Sequence, residues 1–417
     1  MGASIVSHLK TAARTVVESV SALRPRHWDA LCVQLSRTSH PARPGRLHLH
    51  AAMNWLKRAQ DVSGCGGVSW GYRARARVGA SKPLGWQMPY PETTGYIVET
   101  FLRYYDLTGD SDWLIRGRRM ADWEISIQLE NGGIQGGRSD EKPAISSTFV
   151  TGQVLFGWVS AYERFGDRIY LEAACRAAEY LVSCLDKRGR FVQGYSQFCA
   201  PGAKAYETRT AWALVLAGLA SGRNAYFQAA RAIGRWALMC RLPNGWYSHN
   251  AMEDESVPTT HSLGYLLEGL LELGFLLEEP DFLEAGLDSL GRIATLIRPD
   301  GYLAGQWRSD WTPASDWCCL SGSAQLATAM FKAHRIAPGR DLREAGERLL
   351  AFVGSTQLPG FRNPGLAGGI FGSYPFGGAY APYCVLNWAT KFFADSIMEN
   401  GELTRLPIGK VSSLEGR

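Results

Sequence analysis

A chain of 417 residues with 46% hydrophobic and 20% charged side chains has the composition of a folded globular protein with a large core, which excludes disorder over most of its length. Lys and Arg number 44 against 39 Asp and Glu, and the first fifty residues alone hold seven basic and two acidic side chains, so the remaining body is balanced at 37 of each. A neutral body excludes the extended basic stripe of a nucleic-acid-binding protein.

Nine cysteines scattered from Cys32 to Cys384 without CxxC spacing read as reduced thiols. The N-terminus shows no secretory signal, and no apolar run reaches the roughly 18–20 residues of a membrane span. The expectation is a cytoplasmic protein with no nucleic-acid partner and no membrane span. Within residues 1–50, Ile5, Leu9, Val16, Val20 and Leu23 share one helical stripe, which predicts a basic helical extension docked on the body rather than a targeting segment.

From residue 51 a repeat organises the chain. A helix rich in Ala, Arg and aromatics opens in degenerate form at MNWLKRAQDVSGCGGVSWGY. It recurs, each time running into a Gly-containing aromatic turn, at MADWEISIQLENGGIQGG, AAEYLVSCLDKRGRFVQGY, IGRWALMCRLPNGWYSHN and LGRIATLIRPDGYLAGQW, and closes around Leu349 to Gly360. Between these copies lie helices that are apolar on most faces, starting at Glu92, Thr151, Thr208, His261, Ser321 and about Cys384, at separations of 59, 57, 53, 60 and 63 residues. Helices apolar all round must be buried, whereas amphipathic ones can face water. The pattern predicts an all-α (α/α)6 toroid over residues 51–398, six inner helices inside six outer ones, with residues 399–417 as a peripheral tail. Short turns (TGDS, FGDR, SGR, EEPD, APGR) lead from inner to outer helices. Loops of roughly 20 to 30 residues, rich in Gly, Trp and Tyr, lead back, and loops that long in a compact domain are usually functional. They share one end of the barrel with the inner-helix N-termini, whose free N–H groups favour hydroxyls and carboxylates; that end is the expected active face.

Helices ending in Q-x-x-x-G-G-like aromatic turns resemble the six-hairpin glycosidase superfamily, whose toroid is shared by polysaccharide lyases, uronyl epimerases and terpene cyclases. The segments YPETTGYIVETFLRYYDLTGD, TGQVLFGWVSAYERFGD, THSLGYLLEGLLELG and GGAYAPYCVLNWATKFFAD are similar to poorly characterised proteins encoded in bacterial polysaccharide gene clusters. The resemblance spans residues 51–398 and implies a carbohydrate-active enzyme working on a bacterial exopolysaccharide or its intermediate. It transfers no mechanism, so the chemistry has to come from side chains.

Glycoside hydrolysis needs one carboxylic acid to protonate the leaving oxygen and one carboxylate base to activate water, about 6.5–9.5 Å apart when configuration is inverted. Glu92, in the first turn of the first inner helix, is a catalytic candidate; its other reading is a helix-dipole complement. Asp310, beside Trp311, and Asp316 lie in the long loop before the fifth inner helix and are candidates for the opposite carboxylate, with turn formation as the rival. Glu207, at the mouth of the third inner helix, is a further candidate, or else a cap or the ion-pair partner of Arg209. Arg209 suggests an acidic sugar held in two parallel hydrogen bonds, or an orienting pair with Glu207. His261 is a general base, a donor to substrate or a structural histidine. Gln153, Gln325 and Asn387 occupy corresponding places near inner-helix starts, where amides either read sugar hydroxyls or tie helices together. Tyr90 and the loop aromatics Trp311 and Tyr374 complete the substrate-binding candidates. Trp70, Trp86, Trp246 and Trp307 also populate the long loops, where two or three of the aromatics are expected to line the cleft.

No HExxH, GKS/GKT loop, G-x-S-x-G elbow or aspartate-rich terpene-cyclase cluster is present, so no cofactor or metal is expected. The predicted function is a glycoside hydrolase on a poly- or oligosaccharide, acidic if Arg209 serves the substrate. A lyase or uronyl epimerase on the same toroid and a non-catalytic glycan-binding component are the alternatives.

Overall fold

The computed structural model describes residues 44–75, 83–358 and 360–401. The expected N-terminal extension lies almost wholly, and the expected tail largely, outside these described residues. Twelve α-helices occur among them: α1 (Arg46–Asp61), α2 (Pro91–Thr108), α3 (Asp112–Ser126), α4 (Thr148–Phe165), α5 (Arg168–Ser183), α6 (Thr208–Ser221), α7 (Asn224–Met239), α8 (Thr260–Leu276), α9 (Pro280–Ala294), α10 (Leu320–Ile336), α11 (Arg343–Gly354) and α12 (Asn387–Asn400). The even-numbered helices form the inner ring, each packed on the next, and α12 packs back on α2. Each inner helix also packs on the outer helix that follows it in the chain; α12, which has none, packs on α1. The architecture is the (α/α)6 toroid that the repeat predicts, with every inner-helix start within three residues of the sequence reading.

Inner helices are apolar on most faces because neighbours cover them on every side. In α8, residues from Thr260 through Gly274 are all buried. Packing this close needs residues without a side chain at the crossings. A Cβ on Gly157 of α4 would sit 2.3 Å from the Gly95 carbonyl oxygen of α2, and one on Gly269 of α8 would sit 2.4 Å from the Thr208 backbone of α6. Gly109, Gly166 and Gly222 end α2, α4 and α6 in the left-handed conformation and set up the short turns to the outer helices, a geometry that side chains disfavour.

The long loops carry short strands: β1 (Gly71–Arg73), β2 (Gly85–Trp86), β3 (Ile134–Gln135), β4 (Ser146–Ser147), β5 (Cys318–Cys319), β6 (Ile370–Phe371), β7 (Ser373–Tyr374) and β8 (Cys384–Leu386). The order β2-β1-β8-β6 forms one antiparallel sheet in which Tyr72 faces Val385 and Trp86. It joins the first long loop to the last, across the point where the ring closes. Toward the short-turn end charge pairs join neighbouring inner helices: Arg103 with Glu399 at 2.8 Å and Lys332 with Glu272 at 2.7 Å. Buried charges of one sign would be costly there without the other. Among the described residues no helix is long and apolar enough to cross a membrane, and no group of three or more His, Cys, Asp and Glu is placed to hold a metal ion.

Candidate active site

At the long-loop end, where the N-termini of α2, α4, α6, α8 and α12 converge, lies a cavity of about 190 Å³. The starts of the inner helices supply Tyr90, Glu92, Thr148, Glu207, His261 and Trp388, and the loop from Phe191 to Tyr206 forms one wall.

Two enclosed carboxyl groups, Glu92 and Glu207, face this cavity, and the exposed Glu253 is a third acidic residue of its lining. Pro91 opens α2 and puts Glu92 in its first turn, where Tyr90 Oη donates to Glu92 Oε2 at 3.0 Å and Tyr265 Oη to Oε1 at 3.5 Å. Burial pushes the Glu92 carboxyl up to about 7, against the pull of these two phenols and the more distant charge of Arg209. Glu207 ends the single turn Ala205–Glu207 and stands at the N-cap of α6, but its side chain makes no capping bond. Instead Thr148 Oγ1 donates to its Oε1 at 3.0 Å and Thr210 Oγ1 to its Oε2 at 2.5 Å. Burial again raises this carboxyl to about 7, with the negative charge of Glu92 adding to the rise. Carboxylic acids poised this way near neutrality are suited to proton transfer.

His261 lines the same cavity. Burial first and Arg209 second lower it to about 3, so its imidazole is neutral at ordinary pH. Arg209 lies outside the lining. It pairs with Glu268 rather than Glu207, donates from Nε to Gln153 Oε1 at 2.8 Å, and is enclosed by the rings of Tyr96, Phe156, Trp212, Tyr265 and Phe392. Its guanidinium is therefore committed within the barrel, and it acts on the cavity through its field on Glu92 and His261.

Of the sequence candidates, the structure brings Tyr90, Glu92, Glu207 and His261 together and places the others elsewhere. Asp310 is exposed and closes its own turn, accepting from the Thr312 amide at 2.9 Å and the Thr312 hydroxyl at 2.6 Å, which hold its carboxyl below the usual range. It lines a separate depression with Arg241, Asp288 and Trp311. Asp316 is exposed and outside the cavity lining. Trp311 is buried edge-on against Trp246 at 5.0 Å, its Nε1 donating to the Asn244 carbonyl. Tyr374 pairs with Cys318 across β5 and β7 and packs on Phe352. The three amides tie elements together. Gln153 meets Arg209; Gln325 Nε2 donates to Glu268 Oε2 at 2.9 Å; Asn387 Nδ2 donates to the Ser69 carbonyl at 2.9 Å and Thr93 Oγ1 at 2.7 Å.

The expected loop tryptophans pack loop on loop or loop on helix: Trp86 against Trp55, Trp70 against Trp388, and Trp307 with its Nε1 on Thr260. Beside Tyr90, the aromatic lining consists of Phe149, Phe191, Tyr195, Phe198, Tyr206, Tyr380 and Trp388, which the sequence reading did not single out. Tyr206 stands one residue before Glu207 and Phe149 next to Thr148, so adjacency to an inner-helix start was the available signal. For Tyr380 there was none.

No protein-family model matches the sequence, and no curated protein is a significant match. Solved structures do resemble the fold. An unsaturated glucuronyl hydrolase specific for heparin is 16% identical with a TM-score of 0.66, over 86% of this chain and 97% of that one. The unsaturated glucuronyl hydrolase of Bacillus sp. GL1 is 14% identical with a TM-score of 0.65, over 85% and 96%. An α-amylase from Clostridium perfringens is 12% identical with a TM-score of 0.60, over 86% and 98%. At these identities the likeness shows the fold alone, the (α/α)6 toroid.

Proposed function

We propose that the protein is a glycoside hydrolase acting on a bacterial polysaccharide or its intermediate, with Glu92 and Glu207 as its acid–base pair. The observation that carries this reading is two carboxyl groups at one aromatic-lined cavity, both raised to about 7, one of them partly by the other. Arg209 favours the ionised form of Glu92, and the charge of Glu92 raises Glu207, so this reading gives the proton to Glu207 and the charge to Glu92. Glu207 accordingly protonates the glycosidic oxygen as the bond to the anomeric carbon breaks. Glu92 takes a proton from the water whose oxygen attacks that carbon. An inverting outcome calls for about 6.5–9.5 Å between the carboxyls in the complex, a retaining one for about 5–5.5 Å. Fold relatives whose names include hydrolases of glucuronyl and amylase type support the class of reaction.

Glu92→Gln and Glu207→Gln are each expected to lower turnover about a hundred- to ten-thousand-fold while leaving glycan binding in place, measured by reducing-end release and by calorimetry. Wild-type turnover in both variants would discard the assignment. The lyase and epimerase readings find less support, since the arginine that would hold a uronate is paired with Glu268. A lyase would generate an unsaturated uronate absorbing in the near ultraviolet, an epimerase would exchange solvent deuterium into the sugar without new reducing ends, and a binding component would show neither signal.

A further inference from the structure

We propose that the sugar unit held between Glu92 and Glu207 is uncharged, a hexose or another neutral pyranose, and not a uronate. This rests on the hydrolase reading and names its substrate class.

The charges around the cavity are the first argument. Its acidic lining residues are Glu92, Glu207 and Glu253. Among the described residues that line it, Lys204 is the one lysine or arginine, and it is committed: its side chain is buried and Nζ donates to Glu255 Oε1 at 2.6 Å. Arg209, the other cation nearby, is held by Glu268 and Gln153 beneath the floor. A uronate carboxylate entering here would meet the charge of Glu92, with Glu253 also in the lining, and no uncommitted guanidinium or ammonium among those lining residues to receive it.

The lining includes the uncharged polar side chains Ser147, Thr148, Ser196 and His261. Hydroxyls and a neutral imidazole match sugar hydroxyls, which donate and accept, better than a carboxylate, which only accepts. Phe149, Tyr206 and Trp388 supply apolar surface for the C–H face of a sugar ring. The chain thus shares the ring of the unsaturated glucuronyl hydrolases but is inferred not to share their sugar.

The test uses the full chain and matched pairs of probes: gluco-, galacto- and manno-configured disaccharides, α- and β-linked, each against the same disaccharide oxidised at C6 of its non-reducing ring. Binding is read by saturation-transfer NMR and calorimetry, and turnover by product analysis. At least one neutral member should bind about tenfold or more tightly than its uronate partner. That gap should widen at low ionic strength and narrow in Glu253→Gln, because both changes act on the repulsion alone. A uronate bound or cut as well as its neutral partner overturns the proposal, while the hydrolase reading survives if that turnover still depends on Glu92 and Glu207. A neutral disaccharide bound with the expected preference but never cut supports the charge argument and removes the hydrolase reading. No binding by any probe overturns the assignment of the cavity, and the proposal with it.

Discussion

A buried carboxyl that serves proton transfer leaves a mark on stability as well as on rate. Glu207 is raised from the ordinary carboxylate value of 4.5 to about 7, so the folded state binds a proton that the unfolded chain has already lost. The stability this protonation contributes is complete below about pH 4.5 and disappears as pH rises through about 7. A glutamine in the same place can accept from one of the Thr148 and Thr210 hydroxyls and donate its amide N–H to the other, but it cannot ionise. Glu207→Gln is therefore expected to raise the melting temperature relative to wild type by more at pH 8 than at pH 5, alongside its loss of turnover. A difference independent of pH would show that the carboxyl is not raised. Glu92 and Glu207 were legible in the sequence because an acidic residue at the mouth of a helix otherwise apolar all round stands out. Asp310 looked equivalent beside Trp311, but a sequence does not show which way a loop side chain faces, and here it bonds its own turn. Arg209 was read correctly as exceptional, yet its partner Glu268 lies one helix further round the ring, a distance that only the packed barrel reveals.

Among the elements, the inner helices are held close by glycines at their crossings, while the outer helices carry both tight glycines such as Gly234 and Gly346 and an open one, Gly291. Gly157→Ala would drive a methyl into the Gly95 carbonyl, 2.3 Å away, and neither backbone can retreat without opening the ring. Its expected cost is about 1–3 kcal/mol, as for other overpacked cores. Gly291 of α9 has nothing within 4 Å of a Cβ and sits in a helix interior. Gly291→Ala should accordingly stabilise by about 0.5–1 kcal/mol through helix propensity. Urea unfolding of the two variants checks both signs, and equal effects would mean that ring packing does not govern the glycine pattern. Helix class and order were readable because burial on all faces and amphipathicity leave different sequence patterns. The loops were not, since an aromatic packed under a loop and one lining a cavity look the same in sequence. Trp307 packs its loop on Thr260, whereas Phe198, also in a long loop, lines the cavity.

At the scale of the whole molecule, the ring is built as though its chain had been cut at one of its short turns. Each inner helix ends where its outer partner begins, except that α12 ends at Asn400 while its partner α1 begins at Arg46. His50, near the start of α1, bonds the Tyr104 hydroxyl at 3.0 Å, close to the end of α2, so α1 starts at the short-turn end, where α12 finishes. The sheet of β2, β1, β8 and β6, with Asn387 reaching Ser69 and Thr93, seals the same junction at the opposite end. A circular permutant that joins residue 400 to residue 46 through a short Gly/Ser linker, and opens the chain between Gly222 and Arg223, should therefore keep every helix pair and the cavity. The new ends fall in an exposed turn, the kind of site where permutation is tolerated. The permutant should unfold in a single transition and retain glycan binding. By contrast, opening the chain between Phe371 and Cys384 would separate β6 from β8 and unseal the ring, and should cost both stability and binding. If the first permutant failed to fold while the second remained native, ring closure through α12 and α1 would not be what holds the toroid together.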